Sequence, residues 1–238
     1  MREWWTYSLS DFLMFSPRTY YRLFELYNAA IWPAQFVAIA LGVAILVLLS
    51  RGEPWSGRAV VAALAACWLW VAWAFFALRY DTINWAGSYI AAGFAIEALL
   101  LLWVGIARNS LRLRKSSDLA GRAGFAIVLY ALAIHPLINM LVGRPLMQVE
   151  LFGVAPDPTA IATIGVVAAA HQPHWGLLVI PLLWCAVSGG TLWTMQSPDA
   201  LVLPAAAVLA LVLAGWKWFW RGHGSSIKSE SVRALTPR

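Results

Sequence analysis

Charge is what this sequence has least of. Asp, Glu, Lys and Arg supply 12% of its 238 residues and hydrophobic residues 61%, where a soluble domain is about 25% charged and about 45–50% apolar. A water-soluble core could not hide that excess; a bilayer can. Cysteine is scarce as well. Cys67 and Cys185 are the only two, and both fall inside apolar runs, which reads as packing rather than a disulfide and assigns no redox compartment. No Walker loop, HExxH, CxxC or GxSxG occurs, so the common signatures of nucleotide, zinc-protease, thiol-redox and serine-hydrolase chemistry are missing. His135 is the one histidine inside an apolar span, which argues against a haem held by two intramembrane histidines. No lysine sits in the middle of the last span, as retinal proteins require; Lys217 stands at its end. His171 and His174 lie in HQPH, where Pro173 breaks the helix that would set them on one face. They read as solvated residues at a turn, and neither a metal nor a cofactor is expected. The opening MREWWTYSLSDF lacks a basic-then-apolar leader, so no cleaved signal peptide is expected.

What the sequence does have is long apolar runs. They fall at 31–50, 59–78, 85–106, 122–142, 158–170, 175–195 and 201–220, and they predict an all-α, polytopic membrane bundle of about seven transmembrane helices. The run 158–170 is short, about 20 Å at 1.5 Å per residue, and reads either as a full span or as a half-helix that turns back. Loop charge sets the orientation. Arg108, Arg112, Arg114, Lys115 and Arg122 face Asp118 alone, and the tail carries Arg221, Lys228, Arg233 and Arg238 against Glu230. Seven crossings put both basic segments in the cytoplasm, with the N-terminus outside. The net charge of +6 is therefore a topological signal, and no nucleic-acid partner is expected.

The segment 1–30 has a different pattern. Ser16-Pro17 is a helix-start signal, and beyond it Tyr20, Leu23, Phe24 and Tyr27 share a face opposite Arg18, Arg22 and Glu25. This predicts an amphipathic helix at the outer interface, seating the first span or offering a docking surface to a protein partner. Residues 221–238 are polar and read as a disordered cytoplasmic tail. Many of the 15 tryptophans fall near span ends, as interfacial indoles do; Trp68, Trp70, Trp73 and Trp184 lie deeper and read as core packing. Pro136, Pro181 and Pro204 sit inside apolar runs that they are expected to kink.

Glu97 is the residue that most invites a function. It is the only charged side chain between Asp81 and Arg108, and a carboxylate mid-span costs about 2.5–3.5 kcal/mol on insertion scales. At 1.5 Å per residue it lies about 16 Å from the outer end of its span, while His135 lies about 20 Å from the inner end of its own, so the two share a similar depth. Asn139 is one turn from His135 on the same face, and Gln35, Asn84 and Tyr89 lie near outer helix ends. The six define a candidate polar cluster in the outer half of the membrane. Two readings of it stay open. Glu97 is protonated and ties helices together through a hydrogen bond, or Glu97 and His135 line an outward-open cavity that binds a solute or relays a proton.

Several stretches occur together: EWWTYSLSDFLMFSPRTYYRLFELYN, WVAWAFFALRYDTINWA, PDPTAIATIGVVAAA, LLVIPLLWCAVSGGTLW and LVLPAAA. The combination resembles a family of bacterial integral membrane proteins catalogued only as a domain of unknown function, some of whose members carry automated permease labels. The resemblance covers residues 3–220 and implies a bacterial inner-membrane location; it supplies no site residues. Three functions follow in order of expectation: a small-solute or proton-coupled permease, a membrane-embedded accessory subunit, and a lipid-acting enzyme.

Overall fold

The computed structural model describes residues 15–113, 119–172, 174–198, 200–205, 207–209 and 212. The expectations for residues 1–14, the core of the basic loop at 114–118, most of the 201–220 run and the tail lie outside the described residues. Regular structure consists of helices α1 (Pro17–Ala30), α2 (Ala34–Arg51), α3 (Ser56–Trp70), α4 (Gly87–Leu102), α5 (Leu119–Leu129), α6 (His135–Leu141), α7 (Pro156–Ala169) and α8 (Val179–Thr194). The only β pairing among the described residues is an isolated antiparallel bridge between Leu113 and Ala170.

Among the described residues, three wider π-helical turns punctuate the bundle. Val71–Ala77 prolongs α3, Trp103–Ala107 prolongs α4, and Tyr130–Ile134 joins α5 to α6. The last lies just before Pro136, which has no N–H to give to the preceding turn, so the looser i→i+5 closure absorbs the kink that the proline was expected to cause. Pro181, by contrast, occupies the first turn of α8, where the helix itself offers no partner for an N–H. Among the described residues, with these extensions, five helices are long and apolar enough to cross a membrane: Ala34–Arg51, Ser56–Thr82, Gly87–Ala107, Ala120–Leu141 and Trp175–Thr194. Their outward faces carry Phe36, Leu99 and Leu183, each about 60% exposed, which suits lipid and not water. Among the described residues the fold is all-helical, and its apolar helices fit a lipid bilayer.

The run read as a fifth span becomes α7, which at 14 residues is about 21 Å long, too short for a hydrocarbon core of about 30 Å. Every residue of α7 except Ala168 is buried, as expected of a helix apolar all round that lies inside a bundle. It packs on α3, α5 and α8. The closest approach is to α5, where a Cβ on Gly124 would stand 2.5 Å from the Gly165 carbonyl and one on Gly165 would stand 2.9 Å from the Gly124 carbonyl. Small residues at both positions let the two backbones touch. The C-terminal end of α7 meets the loop after α4, through the Leu113–Ala170 bridge and the His171 N–H donated to the Arg112 carbonyl at 2.7 Å. Its N-terminal end follows the segment after α6. Those two connections flank the Ala120–Leu141 span, so α7 runs between opposite ends of it.

A short helix can do this because the segment before it sinks into the bundle. Val149, Glu150, Phe152, Val154 and Ala155 are all buried without being helical, and buried irregular backbone must find its hydrogen bonds nearby. Helix α1 supplies many of them. Ser16 caps it, accepting from the Thr19 N–H at 3.2 Å, and its Tyr20, Leu23, Phe24 and Tyr27 face is buried. Tyr27 donates its hydroxyl to the Val154 carbonyl at 2.9 Å, and Asn28 donates to the carbonyls of Met147 and Val149. From the other side Thr159 accepts the Gly153 N–H at 2.9 Å. Gly153 itself has φ +80° and approaches Cys67 and Ala38, a conformation and a spacing that favour glycine. The amphipathic helix thus clamps the 147–154 segment.

Candidate functional site

The sunken segment brings together charges that are far apart in sequence. Arg144, Glu150, Asp157 and His135 are all buried. Arg144 is the hub: one guanidinium nitrogen donates to Glu150 Oε1 at 3.2 Å and to Asn139 Oδ1 at 2.9 Å. The other donates to the hydroxyls of Tyr21 at 3.1 Å and Ser197 at 3.2 Å, and the guanidinium lies 4.5 Å from the centre of the Tyr21 ring. Asp157 sits in the first turn of α7, where the positive end of the helix dipole favours a carboxylate. It accepts from Trp184 Nε1 at 2.8 Å, and the Ser188 hydroxyl lies 2.9 Å from each of its oxygens. Asn139 donates to the main-chain carbonyl of His135 at 3.0 Å. A ring nitrogen of His135 and one oxygen each of Glu150 and Asp157 lie within 4.8 Å of one another.

The six residues singled out from sequence are dispersed. His135 and Asn139 belong to this cluster. Glu97 is fully buried on α4, and neither of its carboxyl oxygens has a hydrogen-bond partner. It joins neither His135 nor the other charges through a hydrogen bond. Gln35 is buried and donates to the Asn28 carbonyl at 2.7 Å, fastening α2 to the end of α1. Asn84 accepts the Ala86 N–H at 2.9 Å and shapes the turn into α4. Tyr89 points outward, 73% exposed. Of the four deeper tryptophans, Trp68 is buried and donates to Thr163 at 2.8 Å. Trp184 holds Asp157, Trp70 is half-buried and donates to the Tyr27 hydroxyl, and Trp73 faces outward. His171 is exposed and His174 half-buried.

Sequence reasoning did not assemble Arg144, Glu150, Asp157, Tyr21, Ser197 and Ser188. One signal for them existed: Pro156-Asp157-Pro158 opens an apolar helix with a carboxylate in its first turn, an arrangement that fixes an acid at a helix start.

A family model described as Family of unknown function (DUF6064) matches residues 18–225. No curated protein matches the chain, and no solved structure matches it.

Proposed function

The chain belongs to DUF6064, a family of unknown function, and from the geometry of its buried cluster we propose that it is a small-solute permease whose solute is a cation. One observation carries the reading. Irregular backbone at 149–155 lies sunk within apolar helices, and Glu150 within it and Asp157 just beyond it meet His135 there. Such backbone is tolerated at membrane depth only where protein or a water-filled cavity surrounds it, and in transporters it is where solutes and coupling ions bind. A cation suits the site because two carboxylate oxygens and one imidazole nitrogen converge there. A docking role for the amphipathic helix has less support, since its apolar face is already covered by the chain itself. The proposal includes a bacterial inner membrane, implied by the family resemblance, and an outside N-terminus with a cytoplasmic C-terminus, supported by loop charge.

Uptake of radiolabelled monovalent and divalent cations into proteoliposomes tests the function. Asp157→Asn keeps an oxygen for Trp184 and Ser188 but removes the charge, and it is expected to cut uptake at least about tenfold, as losing roughly 1.4 kcal/mol of binding would. Uptake equal to wild type in that variant, with the protein folded, contradicts the proposal.

A further inference from the structure

The buried cluster gathers ionisable groups of both signs. Among the described residues in it, two carboxylates, Glu150 and Asp157, meet one guanidinium, Arg144, and one imidazole, His135.

The donor atoms of three of these side chains suit a metal ion. One imidazole nitrogen and two carboxylate oxygens already stand within 4.8 Å of one another. Bonds of about 2.0–2.2 Å to a zinc-sized ion would set tetrahedral ligand atoms roughly 3.5 Å apart, so convergence needs shifts of about 1 Å. Two of the donors are also held from outside the triad. Ser188 and Trp184 hold Asp157, and Arg144 takes Oε1 of Glu150. Metal ligands are characteristically fixed in this way.

We propose that His135, Glu150 and Asp157 form a binding site for a divalent first-row transition metal ion. The proposal rests on the cation reading above and names the class of cation. Imidazole suits zinc, iron, nickel and copper, and carboxylate suits manganese as well, whereas magnesium and calcium take oxygen ligands. Three protein donors leave a coordination position open, as a site that must load and release its ion requires.

Full-length protein purified in detergent, stripped with chelator and titrated with Zn²⁺, Mn²⁺ or Mg²⁺ provides the test, read by calorimetry and thermal unfolding. The expected result is one Zn²⁺ or Mn²⁺ per chain, with an unfolding temperature that climbs with the concentration of that metal and does not respond to Mg²⁺. His135→Asn is expected to abolish binding. Ser188→Ala, which leaves all three ligands in place and so stands even where His135→Asn misfolds, is expected to weaken it about 10–100-fold. His171→Ala, on an exposed histidine, is expected to change nothing. Absence of stoichiometric metal, binding that persists in folded His135→Asn, or binding lost in His171→Ala each overturns the proposal. Cation uptake without any divalent binding overturns this inference and spares the permease reading; divalent binding without uptake of any cation does the reverse.

Discussion

Glu97 and Asp157 are both buried carboxylates, and the chain treats them in opposite ways. Asp157 accepts hydrogen bonds from Trp184 and Ser188 at a helix N-terminus. Glu97 has no hydrogen-bond partner and is fully enclosed, a situation that costs about 1–3 kcal/mol for a buried polar group. Glu97→Met fills a similar volume without that cost. It is expected to raise the unfolding temperature by a few degrees, at about 2–4 °C per kcal/mol for a domain of this size, as followed by circular dichroism in detergent. A lowered temperature would mean that Glu97 has a stabilising role absent from this structure. Arg144→Ala is expected to act in the other direction, by about 3–5 kcal/mol, because it leaves Glu150 buried without its ion pair. Arg144→Met with Glu150→Met is expected to cost less than Arg144→Ala alone. At this scale the sequence was half legible. His135 and Asn139 could be paired because four residues along an apolar helix place two side chains on one face. Glu150 and Asp157 stand outside the long apolar runs, so in linear order they look like loop charges and register only as topology.

Helix α7 is the element on which the cluster depends. Apart from Asp157 and two threonines, its composition, PDPTAIATIGVVAA, is small and apolar, and that is why it can lie inside the bundle with backbone contact to α5. The contact is specific to position. Gly124→Ala would drive a Cβ into the Gly165 carbonyl and into Ala169, neither of which is a flexible chain end, so a loss of about 1–3 kcal/mol is expected. Gly190→Ala on α8 meets nothing within 4 Å and is expected to be neutral or to gain about 0.5–1 kcal/mol from better helix propensity. Paired thermal unfolding of the two variants checks this; equal effects would contradict the close α5–α7 packing. The sequence located this helix to within two residues but could not say whether it crosses. A run of 13 residues is compatible with a full span completed by its flanks or with a half-helix that turns back. What decides is the sunken 149–155 segment, whose non-helical path depends on hydrogen bonds from α1 residues more than a hundred positions away.

At the scale of the whole molecule, five of the seven expected runs are helices long enough to cross a membrane among the described residues, because twenty-residue apolar runs have few alternatives, and Trp32, Trp85, Trp103 and Trp193 are outward-facing at their ends. Orientation rests on loop charge. Reporter fusions at residue 115 and at the C-terminus are expected to report the cytoplasm together, and opposite sides would refute the seven-crossing count. The polar interior was the least legible part, because it is made by tertiary folding of a segment that carries no local signal. The central claim is that the cluster of His135, Glu150 and Asp157 handles the solute and that Glu97, the residue most conspicuous in sequence, does not. Cation uptake measured side by side in proteoliposomes of Asp157→Asn and Glu97→Gln tests this most directly. Uptake lost in Asp157→Asn and kept in Glu97→Gln is the predicted result; uptake kept in Asp157→Asn and lost in Glu97→Gln would contradict it.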